Sequence, residues 1–240
     1  LFPGLFFVAP FVFLFFKPDV IHAHGLVAGV VGVFLGKIFR KRVVISIHNI
    51  YHFPNKGLYS NFVRLVLSNA DSVLCLSKQS ANEIESLGIL KKKIKVFTYW
   101  IDLDRFKKDE NAKEKLDWNN KFIVLFVGRL IPEKGILELL KSVRSWNKDI
   151  TLAIIGSGPL ANFINNQKIK NLIFLGEIDN NRLPLYYSAA DLLIVPSTHE
   201  EGFGRVILES LACGVPVIGS NRGAVPEAMD ETVGKLIDIS

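Results

Sequence analysis

The run L-L-I-V-P-S-T-H-E-E-G-F-G-R-V-I-L-E-S-L-A-C-G (192–214) changes its pattern twice. Its first five residues are apolar without a break, as in a strand covered on both faces of a parallel sheet. A polar loop with Gly202 and Gly204 follows, and then an apolar helical segment of about 204–213. A buried strand, a glycine-bearing loop and a helix in that order make half of a βαβ unit. Two carboxylates complicate the stretch. Glu209 stands inside the apolar helix, where an unpaired charge is costly. Glu201 precedes it by eight residues, in the loop.

The same alternation extends outward in both directions. Short β-branched runs at 20–24, 43–48, 72–77 and 94–99 form a first series. Runs at 122–127, 151–155, 171–175, 192–196, 215–218 and 235–239 form a second. Helical segments at about 26–39, 59–69, 78–88, 135–147, 159–168, 181–189, 204–213 and 224–229 lie between them. The pattern predicts α/β architecture with two doubly wound parallel sheets. The stretch 104–121 is charged and has no strong apolar period, so it reads as a linker and the start of a second domain. The boundaries are therefore set at 1–104 and 105–240. The first unit lacks an opening strand with a glycine-rich turn, and the chain is expected to begin and end inside a longer protein.

With 240 residues, 49% of them hydrophobic, the chain has enough apolar surface for two cores. The net charge of +6 suits phosphorylated small molecules, an anionic membrane surface or nucleic acid. The lysines are scattered apart from Lys91-Lys92-Lys93, and no nucleic-acid motif is present, so nucleic acid is not expected. Cys75 and Cys213 sit in separate apolar runs and read as buried free thiols of a reducing compartment. The opening L-F-P-G-L-F-F-V-A-P-F-V-F-L-F-F is too short to span a bilayer comfortably and carries Pro3 and Pro10. It reads as a buried or interfacial helix, with peripheral membrane contact through its phenylalanines as the other reading.

Ligands of open α/β sheets bind beyond the carboxyl ends of the strands. After 122–127 comes G-R-L-I-P-E-K-G (128–135), where Arg129 and Lys134 can converge on one anion beside Gly128 and a helix start. The plainer reading is two solvated surface cations. G-S-G-P (156–159) is explained by a tight turn into a helix. The helix beginning near Arg205 offers free amides and partial positive charge. Glu209 needs hydroxyl donors or a cation: ribose or sugar hydroxyls, Arg129, or a structural salt bridge. His22 and His24 alternate on one strand face, and His48 ends the next strand. No carboxylate or cysteine at ligand spacing joins them, so no metal site is expected. His22 reads as a structural histidine and His48 as the better functional candidate.

Taken together, these motifs resemble the large retaining glycosyltransferase family 4. E-G-F-G-R-V-I-L-E-S-L-A-C-G-V-P-V-I resembles its signature of two glutamates separated by seven residues, with Glu201 first and Glu209 second. G-R-L-I-P-E-K-G resembles its diphosphate motif, and P-D-V-I-H-A-H, I-G-S-G-P-L, Y-Y-S-A-A-D-L-L-I-V-P-S and G-A-V-P-E match in order. The resemblance covers nearly the whole chain. It implies a GT-B fold, two Rossmann-like domains facing across a cleft, with a nucleotide-sugar donor, UDP- or GDP-linked, on the second. It implies that Gly128, Arg129 and Lys134 hold the diphosphate and that Glu209 takes the ribose hydroxyls. Glu201 would take sugar hydroxyls, helped by the Gly202-Phe203-Gly204-Arg205-Val206 backbone, and His48 would reach the sugar from the first domain. Transfer would retain anomeric configuration, without metal or cofactor, to an acceptor that is a lipid, a glycan or a small molecule. The apolar start and positive charge point to a lipid-linked acceptor at the cytoplasmic face of a membrane. Thr98-Tyr99-Trp100-Ile101-Asp102 stands where the family usually has an Asn-Gly turn. A sugar-nucleotide epimerase, a phosphorylase with lysine-bound pyridoxal phosphate, or a non-catalytic scaffold of the same fold are the competing readings.

Overall fold

A computed structural model describes residues 2–54 and 57–239. The chain divides into two compact units, Leu1–Thr98 and Tyr99–Ser240.

The first unit runs α1 (Phe2–Phe16), β1 (Val20–His24), α2 (Leu26–Phe39), β2 (Arg42–Ile47), α3 (Leu58–Ser68), β3 (Ser72–Cys75), α4 (Lys78–Ser86) and β4 (Ile94–Val96). Its strands form one parallel sheet in the order β1-β2-β3-β4. Ile45, Ile47, Leu67, Val73 and Cys75 are its buried centre. Helix α1 is anchored by Phe13, which packs with Val31 and Leu35 and stacks on Phe39 at 5.0 Å. Phe7, Phe11, Phe15 and Phe16 of the same helix are exposed. Among the described residues no helix is long and apolar enough to cross a membrane.

The second unit runs α5 (Ala112–Lys115), β5 (Phe122–Val127), α6 (Ile136–Val143), β6 (Ile150–Ile155), α7 (Ala161–Asn165), β7 (Leu172–Gly176), α8 (Leu183–Ala189), β8 (Leu192–Val195), α9 (Arg205–Ala212), β9 (Val217–Ser220), α10 (Val225–Ala228) and β10 (Gly234–Ile237). All its strand pairs are parallel, in the order β10-β9-β8-β5-β6-β7. Alternate residues of β5 enter different cores: Ile123 and Leu125 one, Val124 and Phe126 the other. Two covered faces explain why these strands read as unbroken apolar runs. The chain steps from β5 to β6 and β7 on one side, then returns to place β8 on the other. The crevice of such a sheet opens between the strands where the order reverses, here β5 and β8.

Two boundaries differ from the sequence reading for physical reasons. The strand expected at 215–218 lies at Val217–Ser220, because Pro216 has no N–H for a ladder. The charged stretch after residue 104 packs into the second core through Phe106, Ala112 and Trp118. These anchors recur every six residues, which matches neither a helix nor a strand period. Lys113 pins the stretch to Asp191 at 2.7 Å, and the Asp191 carboxylate also accepts from the Ile123 amide. Cys75 and Cys213 are buried free thiols. Burial pushes each up to about 11.

Candidate functional site

The carboxyl end of β5 turns at Gly128-Arg129-Leu130. Leu130 is fully buried; its amide donates to Ser157 O and its carbonyl accepts from the Leu160 amide. This ties the turn to the G-S-G-P loop after β6. Gly128, Arg129, Gly156 and Ser157 line a cavity of about 180 Å³. Arg129 is exposed and has no ion-pair partner among the described residues.

Lys134 closes the single helical turn Pro132–Lys134. Gly135 follows with φ 69°, and a Cβ there would lie 1.8 Å from the Pro196 carbonyl oxygen. Only glycine allows this turn to sit against the end of β8. The loop leaving β8 then lies on the same turn: Glu133 O accepts from the Thr198 amide at 3.0 Å and pairs with His199 Nδ1 at 2.8 Å. Its far side is held by Ala224, whose amide donates to Glu201 O, and by Arg222, which donates to Thr198 O. Gly223 (φ 58°) is pressed against the Glu201 backbone, 2.5 Å from its nitrogen to a built Cβ.

This bracing delivers Glu201 to Lys134. The Lys134 ammonium lies 2.5 Å from Glu201 Oε1, and the Ser197 hydroxyl donates to the same oxygen. Burial pushes the Glu201 carboxyl up, but the Lys134 charge and the hydrogen bonds from Lys134 and Ser197 outweigh it and leave the group below its ordinary range. No hydrogen bond or ion pair joins Arg129 to this cluster among the described residues, so the expected convergence of the two cations on one anion is not formed by the protein alone.

Helix α9 starts beside Glu201. Gly204 precedes it with φ 80° and ψ 54°, and no side chain caps the first amides. Phe203 is buried and meets Tyr99 edge-on at 5.3 Å, while Gly202 and Val206 are half-buried. Glu209 is 4% exposed. Its Oε2 accepts from the Tyr187 hydroxyl at 2.8 Å, and Arg205, one turn back, reaches Oε1 at 3.4 Å. Both oxygens therefore have protein partners. Burial and the neighbouring Glu209 carboxylate push the Tyr187 phenol well above its ordinary value, which keeps it a donor. Tyr187 and Ser197 were missed in the sequence reading. Ser197 carried one signal, a hydroxyl at the end of a strand four residues before Glu201. Tyr187 carried none, since it meets Glu209 only through the packing of α8 on α9.

In the first unit His22, His24 and His48 gather at the carboxyl ends of β1 and β2. His24 Nδ1 and His48 Nε2 share a hydrogen bond at 3.0 Å, and His22 Nε2 pairs with the buried Ser46 hydroxyl. Burial, then the neighbouring imidazoles, lower His22 and His48, so these two rings favour the neutral form. His22 has the structural partner expected of it.

Comparison with known proteins agrees with this geometry. Residues 107–239 match the family described as "Glycosyl transferases group 1", and residues 2–105 match "Glycosyltransferase Family 4". A GDP-mannose-dependent alpha-mannosyltransferase of Corynebacterium glutamicum is 30% identical over 93% of this chain and 56% of its own length. The chain spans about half to two thirds of the length of the curated relatives it matches. Among solved structures, Anabaena Alr3699/HepE in complex with UDP-glucose has a TM-score of 0.82 at 26% identity, covering 96% of this chain and 68% of that one. Sucrose-phosphate synthase from Thermosynechococcus elongatus has a TM-score of 0.84 at 25% identity, covering 99% of this chain and 65% of that one. With more than half of its residues matched, two parallel α/β sheets and these neighbours, the chain has the GT-B fold and belongs to the group 1 glycosyl transferases.

Proposed function

We propose that this chain carries the donor site of a retaining, metal-independent glycosyltransferase that moves a hexosyl group from a UDP- or GDP-sugar to an acceptor hydroxyl. The observation that supports this reading is the position of Lys134, Glu201 and the uncapped start of α9 at the β5/β8 switch point. Relatives support it too: one is solved with UDP-glucose, and one is named for GDP-mannose.

In this reading the diphosphate lies between Arg129, Lys134 and the first amides of α9. The bond from the anomeric carbon to the phosphate oxygen breaks, and its electron pair leaves with the nucleoside diphosphate. Arg129, Lys134 and the helix amides stabilise that growing charge, so no metal or cofactor is assigned. The acceptor oxygen bonds to the anomeric carbon from the same face, and its proton passes to the departing phosphate oxygen. Glu201 takes sugar hydroxyls, Glu209 takes the ribose with Tyr187 and Arg205 setting its orientation, and His48 is assigned to the sugar by resemblance. The exposed phenylalanines of α1 next to Lys17 support an acceptor presented at a membrane surface on the cytoplasmic side.

Calorimetric titration with UDP, GDP and ADP tests the donor site. One nucleotide should bind, and Glu209→Ala should weaken it at least tenfold. A folded chain that binds none of the three would overturn the assignment.

A further inference from the structure

The opposite end of the second sheet holds a site that the donor chemistry does not use. A groove of about 720 Å³ opens there, lined by Lys121, Arg144, Lys148, Lys168 and Lys170 around the half-buried Trp146. That volume lies within the range of small-molecule pockets. Lys121, Lys148 and Lys170 stand just before β5, β6 and β7, at the amino ends of parallel strands, whereas Arg129 and Ser157 follow the carboxyl ends of β5 and β6. Six residues of strand put roughly 20 Å between the two ends.

The fold has gathered charges that are scattered in sequence. Some cations of this unit have carboxylate partners, as in Lys113–Asp191, Lys115–Asp109 and Lys134–Glu201. None of the five groove cations forms an ion pair among the described residues. Asp149 also lines the groove and pairs with none of them. Among the described residues Arg144 donates to the neutral Gln167 amide oxygen, at 2.8 Å, leaving further N–H groups of its fork to give. Five cations around one concave surface focus a positive potential that an anion relieves. Asn171 holds the floor, its side-chain amide donating to Ile150 O at 3.0 Å. The indole adds an apolar face on which a ring can rest.

We propose that this groove is a second anion site, taking a ligand with two phosphate groups against its cations. Such phosphates can belong to a soluble molecule or to lipid headgroups. Inorganic pyrophosphate can also meet Arg129 after β5, which has no ion-pair partner among the described residues, so the readout must be local. The Trp146 indole N–H resonance, identified by its loss in Trp146→Phe, serves on the whole chain. Pyrophosphate should move it with saturation, and the Arg144→Glu/Lys168→Glu variant should bind at least roughly tenfold more weakly, as expected for two exposed charges reversed. Co-sedimentation with phosphatidylcholine vesicles, with and without phosphatidylglycerol, forms the second arm. A pyrophosphate response assigns a soluble ligand. Binding to the anionic vesicles that is lost in the variant assigns headgroups. An unmoved indole together with vesicle binding indifferent to the variant overturns the site, as does an unchanged pyrophosphate affinity in the variant. Lys148→Gln/Lys170→Gln repeats the test with milder changes if the first variant does not fold.

Discussion

Glu201 and Glu209 are both buried, yet they answer to different partners. Glu201 is held by Lys134 and Ser197, which keep its carboxyl below the ordinary value of 4.5. A carboxyl lowered by folding adds stability that is present above its unfolded value and is lost as pH falls through its folded value. Glu201→Gln should therefore cost about 1–3 kcal/mol at pH 7. It should also flatten the loss of stability below pH 4.5, which urea unfolding at pH 7 and at pH 3.5 will compare. Tyr187→Phe removes the donor to Glu209 Oε2 while keeping the ring, and should cost about 1–3 kcal/mol in the same assay. Glu209 was legible in the sequence because a charge in an apolar run demands an explanation, and Glu201 because it stands in the glycine-bearing loop after a strand, eight residues earlier. Their protein partners were less so. Tyr187 lies 22 positions before Glu209 on another helix, and only packing brings the two together.

At the scale of elements, the loop after β8 is shaped less by its own residues than by the turn it rests on. Gly135 is the contact point. Gly135→Ala places a methyl carbon 1.8 Å from the Pro196 carbonyl oxygen in a left-handed conformation. One of the two segments must move, and the Lys134–Glu201 pair should open. The expected result is a loss of several kcal/mol, read by thermal unfolding, together with loss of nucleotide affinity in calorimetry. The strands themselves were readable because both their faces are covered. The packing of the charged segment after residue 104 was not, since Phe106, Ala112 and Trp118 follow no regular period. Strand ends were legible only to within a few residues, as the late start of β9 after Pro216 shows.

At the scale of the molecule, each unit has its own sheet and its own buried centre. Residues 99–240 expressed alone should unfold in one cooperative transition and bind the same nucleotide as the whole chain. Circular dichroism melting and calorimetry check both outcomes, and an unfolded fragment would show that the second unit depends on the first. The family, the α/β class and the parallel, two-faced burial of the strands could be anticipated from motifs and apolar runs, but the gathering of distant lysines at one sheet end could not. Lys134 has a further consequence. On the proposed reading, an incoming diphosphate finds its lysine already engaged by a tethered rival, and that rival never leaves the neighbourhood. Small anions with nothing else to offer compete poorly against it. A molecule that draws Lys134 away while giving Glu201 a hydroxyl in exchange competes well, so the resting ion pair acts as a filter that admits the sugar nucleotide and turns away the bare salt.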